Sequence, residues 1–465
     1  MTVKNNQRSF ELKDDENSNN MLQKVGDSVA SFTTRWIPDA LAIAVALTIL
    51  VYFAALLSTD AGPIEIVDAW YGGFWTLLAF AMQMALIVIT GYGLATSPPI
   101  KKAMRWVASK PNSAKSAIAL TAIVMAGLTA IHWGVGLVIG AFLAKEVAWT
   151  AKSKGIKVHF PLLAAAGYCG IVVAQSGLSS SAALLVNTPG HFLEEQIGIL
   201  ALSETVFQPY NLVYILGVLL IIPIMLSLLH PAEKDSVEIS GSSEEVDNTD
   251  TSEEHADTPA SKFNQSKIIM LLMVAAGLFY CARYVIDNGV IGINLNVVNF
   301  FFLMLGIFFH GSLDRYSKAV VSGASAVVGI LVQFPFYAGI LGIMASTGLL
   351  AMIATWFVSI STPETYPLLS MLSAGIVNFA VPSGGGQWAV QGPIAVEAAA
   401  QLGLESHIAV MTVMMGDQIT NLIQPFWLLP LLGITGLRVG HVLGYTSIMM
   451  VVVLAICSAS LLIFA

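Results

Sequence analysis

From Ala319 to Pro363 the chain runs 45 residues without an acidic or basic side chain. Crossing the hydrocarbon core of a bilayer takes about 20 apolar residues in a helix, so this stretch suffices for two crossings. Uncharged runs recur from Ile37 to Ala465, and only 11% of all residues are charged, against about a quarter in soluble domains. The pattern specifies an all-α polytopic membrane protein. The first apolar run starts only near residue 37, behind a polar segment of both charge signs, which is not the layout of a cleavable signal peptide. Cys169, Cys281 and Cys457 lie far apart in apolar surroundings, with neither disulfide nor metal spacing.

One stretch breaks the apolar pattern. Pro231 to Ser261 holds ten acidic residues and one lysine among Ser, Gly and Thr. It cannot bury enough apolar surface to fold and reads as a disordered linker over 231–265. It divides a polar segment (1–36) and a first membrane repeat (37–230) from a second repeat (266–433) and a C-terminal span (440–465). Expected spans in the first half are Ile37–Leu57, Phe74–Ala95, Ala117–Ile131, Trp133–Thr150 and Pro209–Leu229. In the second half they are Lys267–Ile286, Leu295–His310, Lys318–Phe334, Tyr337–Ser361 and Ser406–Leu432, followed by Val442–Phe464. Breaks are expected at "IHWG" (131–134) and "FPFY" (334–337).

The halves resemble each other. "FPLLAAAGYCGIV" (160–172) and "YPLLSMLSAGIV" (366–377) each lead into a small polar patch, 174–190 and 379–393. Five spans per half is odd, so tandem copies must face opposite ways, the inverted-repeat plan of many secondary transporters. Lysines concentrate in loops 97–116 and 145–159 and are absent from 58–73, which puts the N-terminus and the lysine-rich loops in the cytoplasm. The acidic linker and the C-terminus are then expected outside.

Non-helical backbone at membrane depth is costly unless it lines a cavity or is buried in protein. Each patch is therefore expected to be the tip of a re-entrant hairpin, near 160–190 and near 364–395. In "VPSGGGQWAVQGP" (381–393), Pro382 is expected to stop the incoming helix, the glycines to turn the chain, and Pro393 to fit the first turn of the next helix. Broken helix ends present amides that attract anions. Ser179, Ser180, Ser181, Asn187 and Thr188 on one tip, and Ser383, Gly384, Gly385, Gly386, Gln387 and Gln391 on the other, are the candidate substrate-binding groups. Trp388 is the expected apolar wall for the substrate's tail.

"MGDQITNLIQP" (415–425) places Asp417 inside an apolar segment. An acid at that depth costs at least about 2.5 kcal/mol and calls for a function. Spacings of four and three put Asn421 and Gln424 on one helical face with it, as ligands for a coupling proton or sodium ion. His132 in "IHWG" is a further candidate proton carrier. "TGYG" (90–93) is a single copy without a pore helix, so a potassium filter is set aside. The chain has no phosphate-binding loop, HExxH or GxSxG motif, so ATP drive and the corresponding hydrolases are not indicated, and the protein is read as no enzyme.

"NFAVPSGGGQWAVQGP", "MMGDQITNLIQPFW" and "NTPGHFLEEQIGI" resemble the bacterial short-chain fatty acid transporter family, of the acetoacetate and butyrate uptake type, over nearly the whole chain from about residue 25. The resemblance implies a multi-pass symporter of the bacterial cytoplasmic membrane for short monocarboxylates, driven by H+ or Na+, with no organic cofactor or nucleic-acid partner; a homodimer is compatible with it. It supplies no individual binding residues. No Arg or Lys falls in either polar patch, which favours a monocarboxylate over the alternative of a C4-dicarboxylate. A channel or a membrane sensor for short carboxylates are the readings from other classes.

Overall fold

The computed structural model describes residues 21–36, 38–240, 258–424 and 426–465, and among these every regular element is a helix. The N-terminal twenty residues and the acidic core of the linker, 241–257, lie outside the described residues; the flanks of the linker expected to be disordered over 231–265 are described and regular in part, with a 3-10 turn at Glu233–Asp235, a buried Ile239 and a helix at Pro259–Asn264. Eight helices in the described residues are long and apolar enough to cross a membrane, and a ninth span arises if one sharply bent pair is counted together.

The chain begins with α1 (Met21–Trp36), then α2 (Ala40–Ser58), capped by Asp39 Oδ1 accepting from Leu41 N–H at 2.9 Å. Next come α3 (Pro63–Phe74), α4 (Leu78–Ala95) and α5 (Pro98–Ala108). Prolines open α3 and α5, where a missing N–H removes no helical bond. α6 (Ala114–Ile131) and α7 (Trp133–Ser153) are separated only by His132. α8 (Phe160–Cys169) tightens into a 3-10 turn at Gly170–Val173, and after residues 174–180 the short α9 (Ser181–Val186) continues. α10 (Glu194–Ile197) and α11 (Pro209–Leu228) complete the first half.

After the linker come α12 (Pro259–Asn264), α13 (Lys267–Asn288), α14 (Leu295–His310) and α15 (Leu313–Gly323), the last bent by 119° from α14 at Gly311, whose φ is 73°. α16 (Val328–Thr347), α17 (Leu349–Ser359), α18 (Tyr366–Val377), α19 (Gly384–Gln401), α20 (Ser406–Thr420), α21 (Leu429–Thr435) and α22 (Val439–Phe464) follow.

Hydrogen bonds between element ends define two opposite ends of the bundle. At the lysine-rich end, Lys154 Nζ donates to the Pro111 carbonyl (3.0 Å) and Ser227 Oγ to the Lys115 carbonyl (3.1 Å). Phe160 N–H there donates to Val237 O (2.8 Å), and Lys152 Nζ to Ile239 O (2.8 Å). The ends of α7 and α11, the starts of α6 and α8, and residues 231–239 therefore share this end. At the far end, Asn187 Nδ2 donates to the carbonyls of Ile291 and Ile293 (both 3.0 Å), between α13 and α14, and Gln196 Nε2 donates to Glu397 Oε2 (3.2 Å).

Several expectations change. The linker departs on the same side as the lysine-rich loops, because α11 runs back to them, and not on the opposite side. Residues 160–190 do not fold back: they run from the lysine-rich end to the far end through the break at 174–180. The pair that leaves and returns to the lysine-rich end is α6–α7. α18–α19 has the matching form at the far end, where Tyr366 O–H donates to Ala395 O (2.6 Å). The expected spans Lys318–Phe334 and Tyr337–Ser361 are replaced by α15, α16 and α17. Pro335 is carried inside α16 without ending it, and the chain turns instead at Gly348, whose φ of 79° is left-handed. Ser406–Leu432 is no single helix, since α20 stops at Thr420.

A direct check uses exposed positions. Cysteines replacing Ser109 and Glu233 should react with an impermeant maleimide from one side of the membrane, and a cysteine replacing Ser203 from the other. The three native cysteines are buried and stay silent. Labelling of Glu233→Cys with the Ser203 set would contradict the assignment of ends.

Candidate functional site

Four interruptions of helix come together in the interior. The first is His132, extended at φ −153° and ψ 104°, whose Nδ1 accepts from Val135 N–H (3.2 Å) and so caps α7. The second is 174–180, held against the first by Trp133 N–H to Ser179 Oγ (2.8 Å) and Leu178 N–H to Ala130 O (2.6 Å). The third is 378–383, between α18 and α19. The fourth follows α20 as a 3-10 turn at Asn421–Ile423 and an extended Gln424. Gln418 ties the second interruption to α20: its Oε1 accepts from Gln175 N–H (2.9 Å) and its Nε2 donates to Ser176 Oγ (2.7 Å). Tyr168 O–H donates to Asn421 O (2.8 Å).

Between them lies a small cavity. Thr129, Trp133 and Gly136 line it from the first interruption, Ala174, Gln175 and Ser181 from the second, Ser383, Gly384 and Gly385 from the third, and Asp417, Asn421 and Trp427 from the fourth. Met84, Met125, Leu137, Ile171 and Ile330 supply apolar wall, and no lysine or arginine lines it.

The three glycines are not the turn. They form the first turn of α19, with Ser383 as its cap, Oγ accepting from Gly386 N–H at 3.4 Å, and none has positive φ. Close approach is what excludes a side chain. A methyl on Gly384 would collide with Gln175 Nε2; one on Gly385 would stand 3.0 Å from Met84 Sδ, and one on Gly386 2.7 Å from Tyr337 Cε2. Pro382 precedes the cap, after α18 has already ended at Val377, and Pro393 lies inside α19. As the first two helical residues, Gly384 and Gly385 have amides without an intrahelical acceptor. These amides, the Gln175 NH2 and the hydroxyls of Ser181 and Ser383 give one part of the cavity a neutral set of donors.

The opposite chemistry surrounds Asp417. It is 1% exposed, lines the cavity, and neither carboxylate oxygen has a hydrogen-bond partner. Beside it Asn378 Nδ2 donates to Asp417 O (2.8 Å), Thr420 Oγ1 (2.9 Å) and Asn421 Oδ1 (2.9 Å), which fixes the orientation of the Asn378 amide. Gln424 Nε2 donates to Asn378 O (2.8 Å), and Gln387 Nε2 to Ala374 O (2.8 Å) and Gln391 Oε1 (2.9 Å). With these amide nitrogens occupied, Asn378 Oδ1, Gln387 Oε1, Gln424 Oε1 and the two of Asp417 remain unpartnered, as does the Trp133 Nε1 donor on the lining.

Of the residues named from sequence, Ser181, Ser383, Gly384, Gly385, Asp417 and Asn421 line the cavity. Ser179 and Ser180 cap α7 and α9. Asn187 and Thr188 stand at the far end, Thr188 Oγ1 accepting from Leu295 N–H (3.2 Å). Gly386, Gln387 and Gln391 sit behind the lining. Trp388 is fully buried against Gly392 and forms no wall; Trp133 and Trp427, in edge contact at 5.6 Å, take that place. Asn421, the helical C-cap of α20 four residues on, lines the cavity with Asp417, whereas Gln424 lies past the helix end in extended backbone; hydrogen bonds through Asn378 gather all three. His132 is off the lining, its ring 4.0 Å from that of Phe302. Sequence reasoning passed over Gln175, Gln418 and Asn378, although each stands within a polar motif already singled out.

The sequence model of the family described as "Short chain fatty acid transporter" matches residues 21–464. The chain belongs to the short-chain fatty acid transporter family. An Escherichia coli K12 protein provisionally named as such a transporter is 37% identical over 91% of this chain and 96% of its own length. A Haemophilus influenzae protein of the same provisional name is 36% identical, with the same coverage of 91% and 96%. Among solved structures, the Alcanivorax borkumensis YdaH transporter, reported to have an unusual topology, superposes with a TM-score of 0.59 at 14% identity, covering 91% of this chain and 97% of that one. At that identity the likeness speaks for the fold alone. The transporter is a multi-pass membrane protein and not an enzyme.

Proposed function

We propose that the transporter is a symporter that carries a short monocarboxylate, such as butyrate or acetoacetate, together with a cation through the cavity where the four interruptions meet. The observation that carries this reading is the unpaired Asp417 carboxylate in the same buried space as the neutral donors. A carboxylate substrate seated there meets a second negative charge. Two like charges about 4 Å apart at an effective dielectric of 20 repel by about 4 kcal/mol. A cation at Asp417 removes that repulsion, so acid and cation bind best together. The left-over oxygens favour sodium over a proton, since a proton needs one acceptor and a hard cation collects several oxygen ligands.

In this reading α6–α7 and α18–α19 are re-entrant hairpins from opposite faces. Each is followed by a crossing broken midway, α8–α9 and α20–α21, and the two units form an inverted repeat. The lysine bias makes the lysine-rich end, the N-terminus and the linker cytoplasmic, in a bacterial inner membrane. Alternating access then exposes one central site to each side in turn. The test is uptake of labelled butyrate into proteoliposomes with a sodium gradient or a pH gradient imposed separately. Accumulation above equilibrium under the sodium gradient supports the reading; accumulation under the pH gradient alone assigns the proton instead. Flux that only equilibrates under both would indicate a channel.

A further inference from the structure

Gln175 is 7% exposed and lines the cavity from the second interruption. Its backbone N–H donates to Gln418 Oε1 (2.9 Å), and its own Oε1 accepts from Ser181 N–H (2.8 Å). The carbonyl oxygen is thereby occupied and the amide cannot flip without breaking that bond. Its NH2 group packs against Gly384 at the cavity lining, so closely that a methyl there would collide with Nε2 and stand 2.6 Å from Cδ. No acceptor for that NH2 exists among the described residues, whereas the amides of Gly384 and Gly385 face the same space. A buried donor in a fixed orientation, with two further donors beside it and no cation among them, suits a single anionic oxygen pair.

We propose that Gln175 is the side chain that seats the substrate carboxylate, its NH2 and the adjacent Gly384 and Gly385 amides donating to the carboxylate oxygens from the same stretch of lining. The assignment rests on the carrier reading and narrows it. The ligand class is a monocarboxylate, because the donor set is neutral and a second carboxylate would be left facing Asp417 and the apolar wall of Met84 and Met125.

The substitution Gln175→Glu separates binding from support. Glutamate keeps an oxygen that accepts from Ser181 N–H but replaces the donor by a negative charge. Gln175→Leu removes both. Butyrate affinity and sodium affinity in the absence of acid are measured on purified protein whose melting temperature matches the wild type. If Gln175 seats the carboxylate, Leu weakens butyrate binding by about tenfold or more, the scale of one hydrogen bond to a charged group. Glu weakens it further, and sodium affinity without acid is unchanged in the Leu variant. Butyrate binding by Gln175→Glu equal to wild type would assign the residue to support of Ser181 and overturn the proposal. Wild-type protein that binds sodium but no short monocarboxylate would overturn the carrier reading itself.

Discussion

Asp417→Asn abolishes sodium-driven accumulation of butyrate while leaving the transporter folded. The variant keeps the shape of the side chain and removes the charge that repels the acid when no cation is present. Butyrate binding to Asp417→Asn should therefore become independent of sodium, losing a coupling of about 1–3 kcal/mol between the two ligands, and uphill uptake should fall to the passive level. The melting temperature in sodium-free buffer should stay equal or rise, because an unpaired acid at membrane depth costs at least about 2.5 kcal/mol. The measurements are proteoliposome uptake and a thermal melt of the same preparation. Full sodium-dependent accumulation in the variant would remove Asp417 from the coupling site.

Gly416→Ala prevents correct packing altogether. Gly416 lies on α20 where it crosses α18, backbone against backbone. An added methyl would collide with the Met371 carbonyl oxygen and stand 2.6 Å from Ala374 Cβ and 2.9 Å from Gly375 N. Overpacking a close-packed interior costs about 1–3 kcal/mol when side chains can shift, and backbone atoms cannot. The expected outcome is loss of monodisperse protein on size exclusion, or a melting temperature lowered by several degrees at least. Gly433→Ala is the control: nothing stands within 4 Å of the added methyl, and alanine favours α21 by about 1 kcal/mol. Stability of Gly416→Ala at the wild-type level would contradict the close crossing.

The class of fold was legible because charge is scarce and uncharged runs are long. Many helix ends were legible as well, since Pro209, Leu295 and Ile131 stand at bounds that the apolar pattern already gave. The path of the broken segments was not. "FPLL" and "YPLL" look alike because a proline in the first turn suits any helix start: Pro161 opens α8 and Pro367 opens α18. That likeness matched 160–172 to 366–377, whereas the segment resembling 366–401 in path is 114–153. Nothing local in the sequence tells a chain that turns back at His132 from one that passes on. That choice is made by close contacts such as Gly177 on Ala130 and Gly140 on Gly167. Asp417 was legible from the cost of its burial. Gln387 and Gln424 were legible as polar groups, but which of their atoms stay unpartnered depends on Ala374 and Gln391 for the first and on Asn378 and the helix ending at Thr420 for the second. The glycines of 384–386 signalled a special backbone, and the structure traces the need to neighbours, not to the turn.

The central claim is that one cavity binds acid and cation as partners, and linkage measures it most directly. Butyrate affinity is determined by calorimetry on the purified transporter with and without saturating sodium, and sodium affinity with and without saturating butyrate. The account predicts that each ligand tightens the other by the same factor, about tenfold or more. Equal butyrate affinity in the two conditions, with sodium bound, would contradict it.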